Sequence, residues 1–103
     1  MEARRSSDAI ERFRTQLGQM MPLLRERYGV SGVGLFGSFV HGRQRKGSDL
    51  DVLVEFSEPP SLLKYVELED YLGQALGVKV DLVMRSVLKP RIGERILAEL
   101  VPV

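Results

Sequence analysis

At 103 residues the chain has the length of one domain, spanning 1–103, and is too short for two. With no cysteine and a single histidine it excludes disulfides, thiolate metal sites and multi-histidine zinc centres. A formal charge of +1 supplies no bulk attraction to nucleic acid or to a membrane surface, and no apolar run approaches the roughly 20 residues that a bilayer span needs.

The first residues, Met1 to Ser7, carry arginines with no apolar segment behind them, so a cytoplasmic location is expected. Ser6 or Ser7 can cap a first helix. Its apolar stripe, Ile10, Phe13, Leu17, Met20, Leu24 and Tyr28, recurs at helical spacing and reads as core. Pro22 interrupts the stripe and predicts a kink or a break into two pieces; Gly29 reads as the C-terminal cap. A first strand follows from about Gly32 to Phe36 and stops abruptly at Gly37-Ser38. The stretch Gly42-Arg43-Gln44-Arg45-Lys46-Gly47-Ser48 is polar, basic and bounded by glycine, which reads as a loop. Its cations can attract anions locally, although a charge run is usually a solvated loop.

A second strand, about Leu50 to Phe56, is closed by Pro59-Pro60, and Ser61 can cap the next helix. That helix carries Leu62, Val66, Leu68, Tyr71, Leu72, Ala75 and Leu76 on one expected apolar face and ends at Gly77. A third strand, Val78 to Met84, alternates around Asp81. A last helical region begins at Ser86, with Pro90 near a helix start and Ile92, Ile96, Leu97 and Leu100 expected to face inward; Arg85, Lys89, Arg91 and Arg95 give it a basic surface. The order helix, strand, strand, helix, strand, helix implies an α/β (α+β) fold in which helices pack on a small mixed sheet.

The chemistry concentrates between Gly37 and Asp51. Aspartate is depleted in strands and a charge facing a core is costly, so Asp49 and Asp51 at the start of an apolar strand need a reason. Side chains alternate along a strand, which puts both on one side with stems roughly 6–7 Å apart. Carboxylates at that separation can converge on one divalent ion or straddle two that lie about 3.5–4 Å apart. Magnesium favours one or two carboxylates together with phosphate oxygens. Gly37-Ser38 fits the same picture, because glycine lets a phosphate approach the backbone and a short helical turn from Phe39 to His41 would aim free N–H groups at an anion. Read from the residues alone, Asp81 is equally an edge charge that discourages aggregation or a third functional acid.

Gly37-Ser38, ten residues, then Asp49-Leu50-Asp51 resembles the signature of the DNA polymerase beta-like nucleotidyltransferase superfamily. With the later Val78-Lys79-Val80-Asp81-Leu82-Val83 strand, the chain is similar over nearly its whole length to the minimal nucleotidyltransferase (MNT) proteins, often encoded beside a HEPN-domain protein. The resemblance implies a nucleotidyltransferase fold and transfer of AMP from ATP with two Mg²⁺ ions. Asp49, Asp51 and Asp81 would be the catalytic and metal-binding carboxylates, and Gly37, Ser38 and Ser48 would bind the nucleotide. It further implies that the acceptor is a tyrosine of a HEPN toxin and that the chain is the antitoxin of a two-gene system. One departure stands out: the family often has arginine near position 41, whereas His41 is a weaker phosphate partner, which favours a structural or minor role for it. Two other readings compete. The chain can act as an antitoxin by complex formation alone, or transfer a nucleotide to a small molecule or to RNA, the latter disfavoured by the lack of a basic surface interleaved with aromatics.

Overall fold

The structure is a computed structural model that describes the backbone from residue 2 to residue 103 and the side chains from residue 9 onward. The first helix, α1 (Glu2–Tyr28), leads into β1 (Val30–Phe36), the short α2 (Ser38–His41) and β2 (Leu50–Phe56). Helix α3 (Leu62–Leu76), β3 (Val80–Met84), a 3-10 turn (Arg85–Val87), α4 (Pro90–Glu99) and β4 (Val101–Pro102) complete the chain. The strands form one four-stranded sheet in the order β3-β2-β1-β4, with β2 and β3 parallel and the other neighbours antiparallel. This is the mixed sheet with packed helices that the element order implies.

One face of the sheet is the core. Leu35, Leu50, Val52, Val54, Val80 and Leu82 project toward α1 and α3, where Ile10, Phe13, Leu17, Leu24, Leu68, Leu72 and Leu76 close over them. Period-two alternation on the strands meets period-3.6 recurrence on the helices, so each element buries one side. Ser61 caps α3 as expected, its hydroxyl accepting the Lys64 N–H at 3.2 Å. Gly29 and Gly77 end α1 and α3 as predicted.

Several sequence expectations change. α1 runs through Pro22 as one helix and does not break. Pro22 and Gly18, the residue whose carbonyl loses its partner, both lie on the exposed side, so water can take the orphaned oxygen. The helix also begins at Glu2, upstream of Ser6 and Ser7, which places these two inside it rather than at its cap; their side chains fall outside the described residues. β1 starts earlier than expected, at Val30, and β3 later, at Val80. The inward faces of α3 and α4 are narrower than the spacing predicts: Leu62 is 78% exposed, Val66 and Ile92 are each 53% exposed, and Ala75 and Leu97 also lie outside. Three leucines one turn apart suffice for α3 to cover its share of the sheet, and α4 buries only Gly93. The strand β4 was not foreseen at all. Among the described residues no helix is long and apolar enough to cross a membrane.

Candidate active site

The acid residues gather at the end of the sheet where β1 finishes and β2 starts. Phe36 pairs with Asp51 across β1 and β2, and Asp51 pairs with Asp81 across β2 and β3. Laterally paired residues share a face, so Asp51 and Asp81 stand side by side on the face away from the core. The Leu50 N–H donates to the Lys79 carbonyl at 2.8 Å and fixes this parallel register at its first residue. Asp49 lies one residue before β2, next to the pair but off the strand. The strand-pattern expectation therefore applies to Asp51 in full, while Asp49 belongs to the loop that enters it.

Burial pushes the Asp51 carboxyl up to about 6; the charges of Asp81 and Asp49, a hydrogen bond with Asp81 and the more distant Glu99 add to the effect. Acidic groups crowded at a half-buried position hold a proton that a cation could replace. The donor set, all carboxylate oxygens, fits a hard divalent ion such as Mg²⁺. Among the described residues no three acidic or histidine side chains form a closed metal cluster. Asp51 and Asp81 are the two carboxylates that could begin the shell of such an ion, with substrate phosphates and water to complete it.

β3 is held from its outer edge by α3. The Tyr65 hydroxyl donates to the Leu82 carbonyl, and the Glu69 carboxylate accepts the Leu82 N–H at 3.0 Å. Burial, with the charges of Glu69 and Asp81, raises the Tyr65 phenol, so it remains a donor. These two bonds satisfy an edge that would otherwise be open, and they fix the residue next to Asp81.

Gly37 sits at the turn with φ +82°, and a Cβ placed there would come within 1.9 Å of Asp51 Oδ2. Any larger residue would both strain the backbone and displace that carboxylate. The turn and Asp51 are thus built in contact. After it, α2 is anchored by Phe39, whose ring meets Phe13 of α1 edge-on at 5.6 Å, and by Val40, which also packs on the core. Ser48 spends its hydroxyl inside the basic loop, accepting the Arg45 N–H at 2.7 Å, while its own N–H donates to the Arg45 carbonyl at 2.9 Å. It shapes the entry to Asp49.

Glu99, which the sequence reading missed, also reaches this site. One carboxylate oxygen accepts the Gly37 N–H at 3.3 Å and the other lies 2.7 Å from His41 Nε2. His41 thus has a structural partner, in line with the role favoured for it. A signal existed in the sequence: Glu99 shares a helical phase with Ile92 and Ile96, a charge on an expected apolar stripe.

The profile described as "Nucleotidyltransferase domain" matches residues 17–103. The protein adenylyltransferase MntA of Thermococcus cleftensis is 55% identical over 78 residues, covering 76% of this chain and 79% of that one. A solved structure that carries a provisional minimal-nucleotidyltransferase name superposes with a TM-score of 0.76 at 38% identity, over 91% of this chain and 95% of the other. A toxin–antitoxin crystal structure with AMP-PNP superposes with a TM-score of 0.69 at 26% identity, over 82% of this chain and 69% of that one.

Proposed function

The chain belongs to the nucleotidyltransferase domain family and is a nucleotidyltransferase, and from that premise we propose that it moves AMP from ATP to a tyrosine hydroxyl of a cognate HEPN toxin, acting as its antitoxin. The single observation that carries this reading is the meeting of Asp51 and Asp81 beside the Gly37 turn, where burial first and the neighbouring acids second raise the Asp51 carboxyl to about 6. The adenylyltransferase name of the Thermococcus relative and the AMP-PNP in the toxin–antitoxin structure support the nucleotide and the class of partner.

Asp49, Asp51 and Asp81 would hold Mg²⁺. When bound, Mg²⁺ neutralises the carboxylates, draws the triphosphate to them and stabilises the charge that develops on the transferred phosphoryl group and on pyrophosphate. The chain's own residues do the rest. The Gly37-Ser38 turn cradles the phosphates, glycine allowing the close approach and the Ser38 backbone N–H and hydroxyl serving as donors, since the Gly37 N–H is bonded to Glu99. Asp81, on the exposed side of the pair, has room to accept the proton of the incoming hydroxyl. The acceptor oxygen then forms its bond to the α-phosphorus as the bond to the β-phosphate oxygen breaks, and pyrophosphate leaves with the electron pair. The protein contributes position and preorganised charge, as in other phosphate transfers.

Incubation with Mg²⁺ and ATP labelled at either the α- or the γ-phosphate tests this. Label is expected on the toxin from α-labelled ATP alone, and is expected to vanish in the Asp49→Ala/Asp51→Ala double variant. Label from the γ-position would indicate phosphorylation instead; no label from either, with toxin and chain still in complex, would leave neutralisation by binding as the function.

A further inference from the structure

The turn that carries Gly37 and Ser38 is tied to the core from one side only, by Phe39 and Val40. α2 is four residues long, and a helix so short does not persist on its own hydrogen bonds. Phe39 and Val40 tie its inner side to the core, but its two ends lie on the open side. Both ends meet the same side chain. Glu99 takes the N–H of Gly37, the residue that precedes the helix, on one oxygen, and the ring of His41, the last residue of the helix, on the other. The carboxylate spans α2 from end to end.

Glu99 is itself placed firmly. The next residue, Leu100, lies over Gly34, where a Cβ would come within 2.7 Å of the leucine. Val101 then pairs with Leu35, and the Val103 N–H donates to the Val33 carbonyl at 3.0 Å. The end of the chain is therefore fastened along β1, the strand that ends in the Gly37 turn. A carboxylate beside a site for a triphosphate repels the ligand, so its presence calls for a return. Here its charge is spent on two donors: the hydrogen bond with His41 holds the Glu99 carboxyl below its usual range, with help from the Gly37 N–H and against a smaller burial effect.

We propose that Glu99 is a positioning residue for nucleotidyl transfer, clamping α2 at both ends so that the Gly37-Ser38 turn presents its remaining donors to the phosphates, with His41 as the far anchor of the clamp. This role rests on the function proposed above. It also accounts for histidine at a position where arginine would be the stronger phosphate ligand: His41 faces Glu99.

The test compares wild type, Glu99→Gln, Glu99→Ala and His41→Ala in transfer from Mg·ATP to the partner toxin, together with the amide NMR signal of Gly37. Glutamine can accept from Gly37 and donate to a neutral imidazole, so Glu99→Gln keeps the clamp, whereas alanine removes it. Glu99→Ala is expected to lose about tenfold to a hundredfold in kcat/KM, the scale of a small misplacement of a positioning group. Its Gly37 amide proton should move upfield, while Glu99→Gln stays within a few-fold of wild type with that proton in place. A Glu99→Ala protein with wild-type kcat/KM overturns the proposal, as does equal impairment of both Glu99 variants with an unmoved Gly37 signal. Should Glu99→Ala fail to fold, His41→Ala decides: a several-fold loss at unchanged melting temperature supports the clamp, and a wild-type rate overturns it. A wild type that transfers nothing overturns the functional reading and this role with it, and the Gly37 signal still tells whether the contact itself exists.

Discussion

The two faces of the sheet obey different rules. The core face is apolar, mostly leucine and valine with Phe56 at one end, and its side chains are explained by removal from water; each fully buried leucine or valine contributes about 1.5–3 kcal/mol. The opposite face carries Gly32, Gly34 and Phe36 on β1, Asp51, Leu53 and Glu55 on β2, and Asp81 and Val83 on β3. Its two inner glycines leave a channel that Leu100 fills over Gly34, and its acids stand together at one end. The first face tolerates exchange among residues of similar volume. The second depends on particular atoms at particular places, and the C-terminal segment completes it.

Removing the acids should break the contrast most sharply. The Asp49→Ala/Asp51→Ala double variant is expected to lose transfer by on the order of 10³-fold or more while its circular dichroism is unchanged, because these side chains support chemistry rather than packing. On the core face the outcome reverses. Leu35→Ala or Leu72→Ala should cost about 2–5 kcal/mol in urea unfolding, with the folded fraction retaining its activity.

Gly37→Ala joins the two effects. The left-handed backbone adds about 1–3 kcal/mol of strain, and the new methyl group strikes Asp51 Oδ2, so stability and transfer should fall together. A Gly37→Ala enzyme of normal activity would show that the turn and Asp51 are not in contact during the reaction.

The smallest effect concerns pH. A carboxyl whose folded pKa is raised favours the folded state while protonated, and that contribution is lost as pH rises through the folded value. For Asp51 the window runs from its ordinary value of 3.8 to about 6. In metal-free protein, Asp51→Asn should therefore gain melting temperature relative to wild type as pH rises across this window, with the gain level above it. Added Mg²⁺ should narrow the gap by stabilising wild type alone. A gap independent of pH would mean that Asp51 is not charged at a cost.

What could be read from the amino-acid order follows the same division. β1 and β2 announce themselves as short apolar runs closed by Gly37 and by Pro59-Pro60, β3 as a run that alternates around Asp81, and Leu68, Leu72 and Leu76 mark the buried side of α3, because burial on one face leaves a periodic trace. The acid face leaves less. Asp49 and Asp51 were visible as charges out of place, but nothing local says that Asp81 lies opposite Asp51; that follows from a parallel register set some thirty residues away. β4 has two residues, too few for any alternation to show, and the contact of Glu99 with His41 spans 58 positions. The exposed Leu62, Val66 and Ile92 misled for the opposite reason, since apolar spacing does not reveal which stripe has a partner.

The most direct test of the central claim is intact-mass spectrometry of the proposed HEPN partner after incubation with this chain, ATP and Mg²⁺. A gain of one or more AMP units, lost with Asp49→Ala, is the predicted result. An unchanged toxin mass, with the two proteins still forming a stable complex, would contradict adenylyl transfer and assign the chain's effect to binding alone.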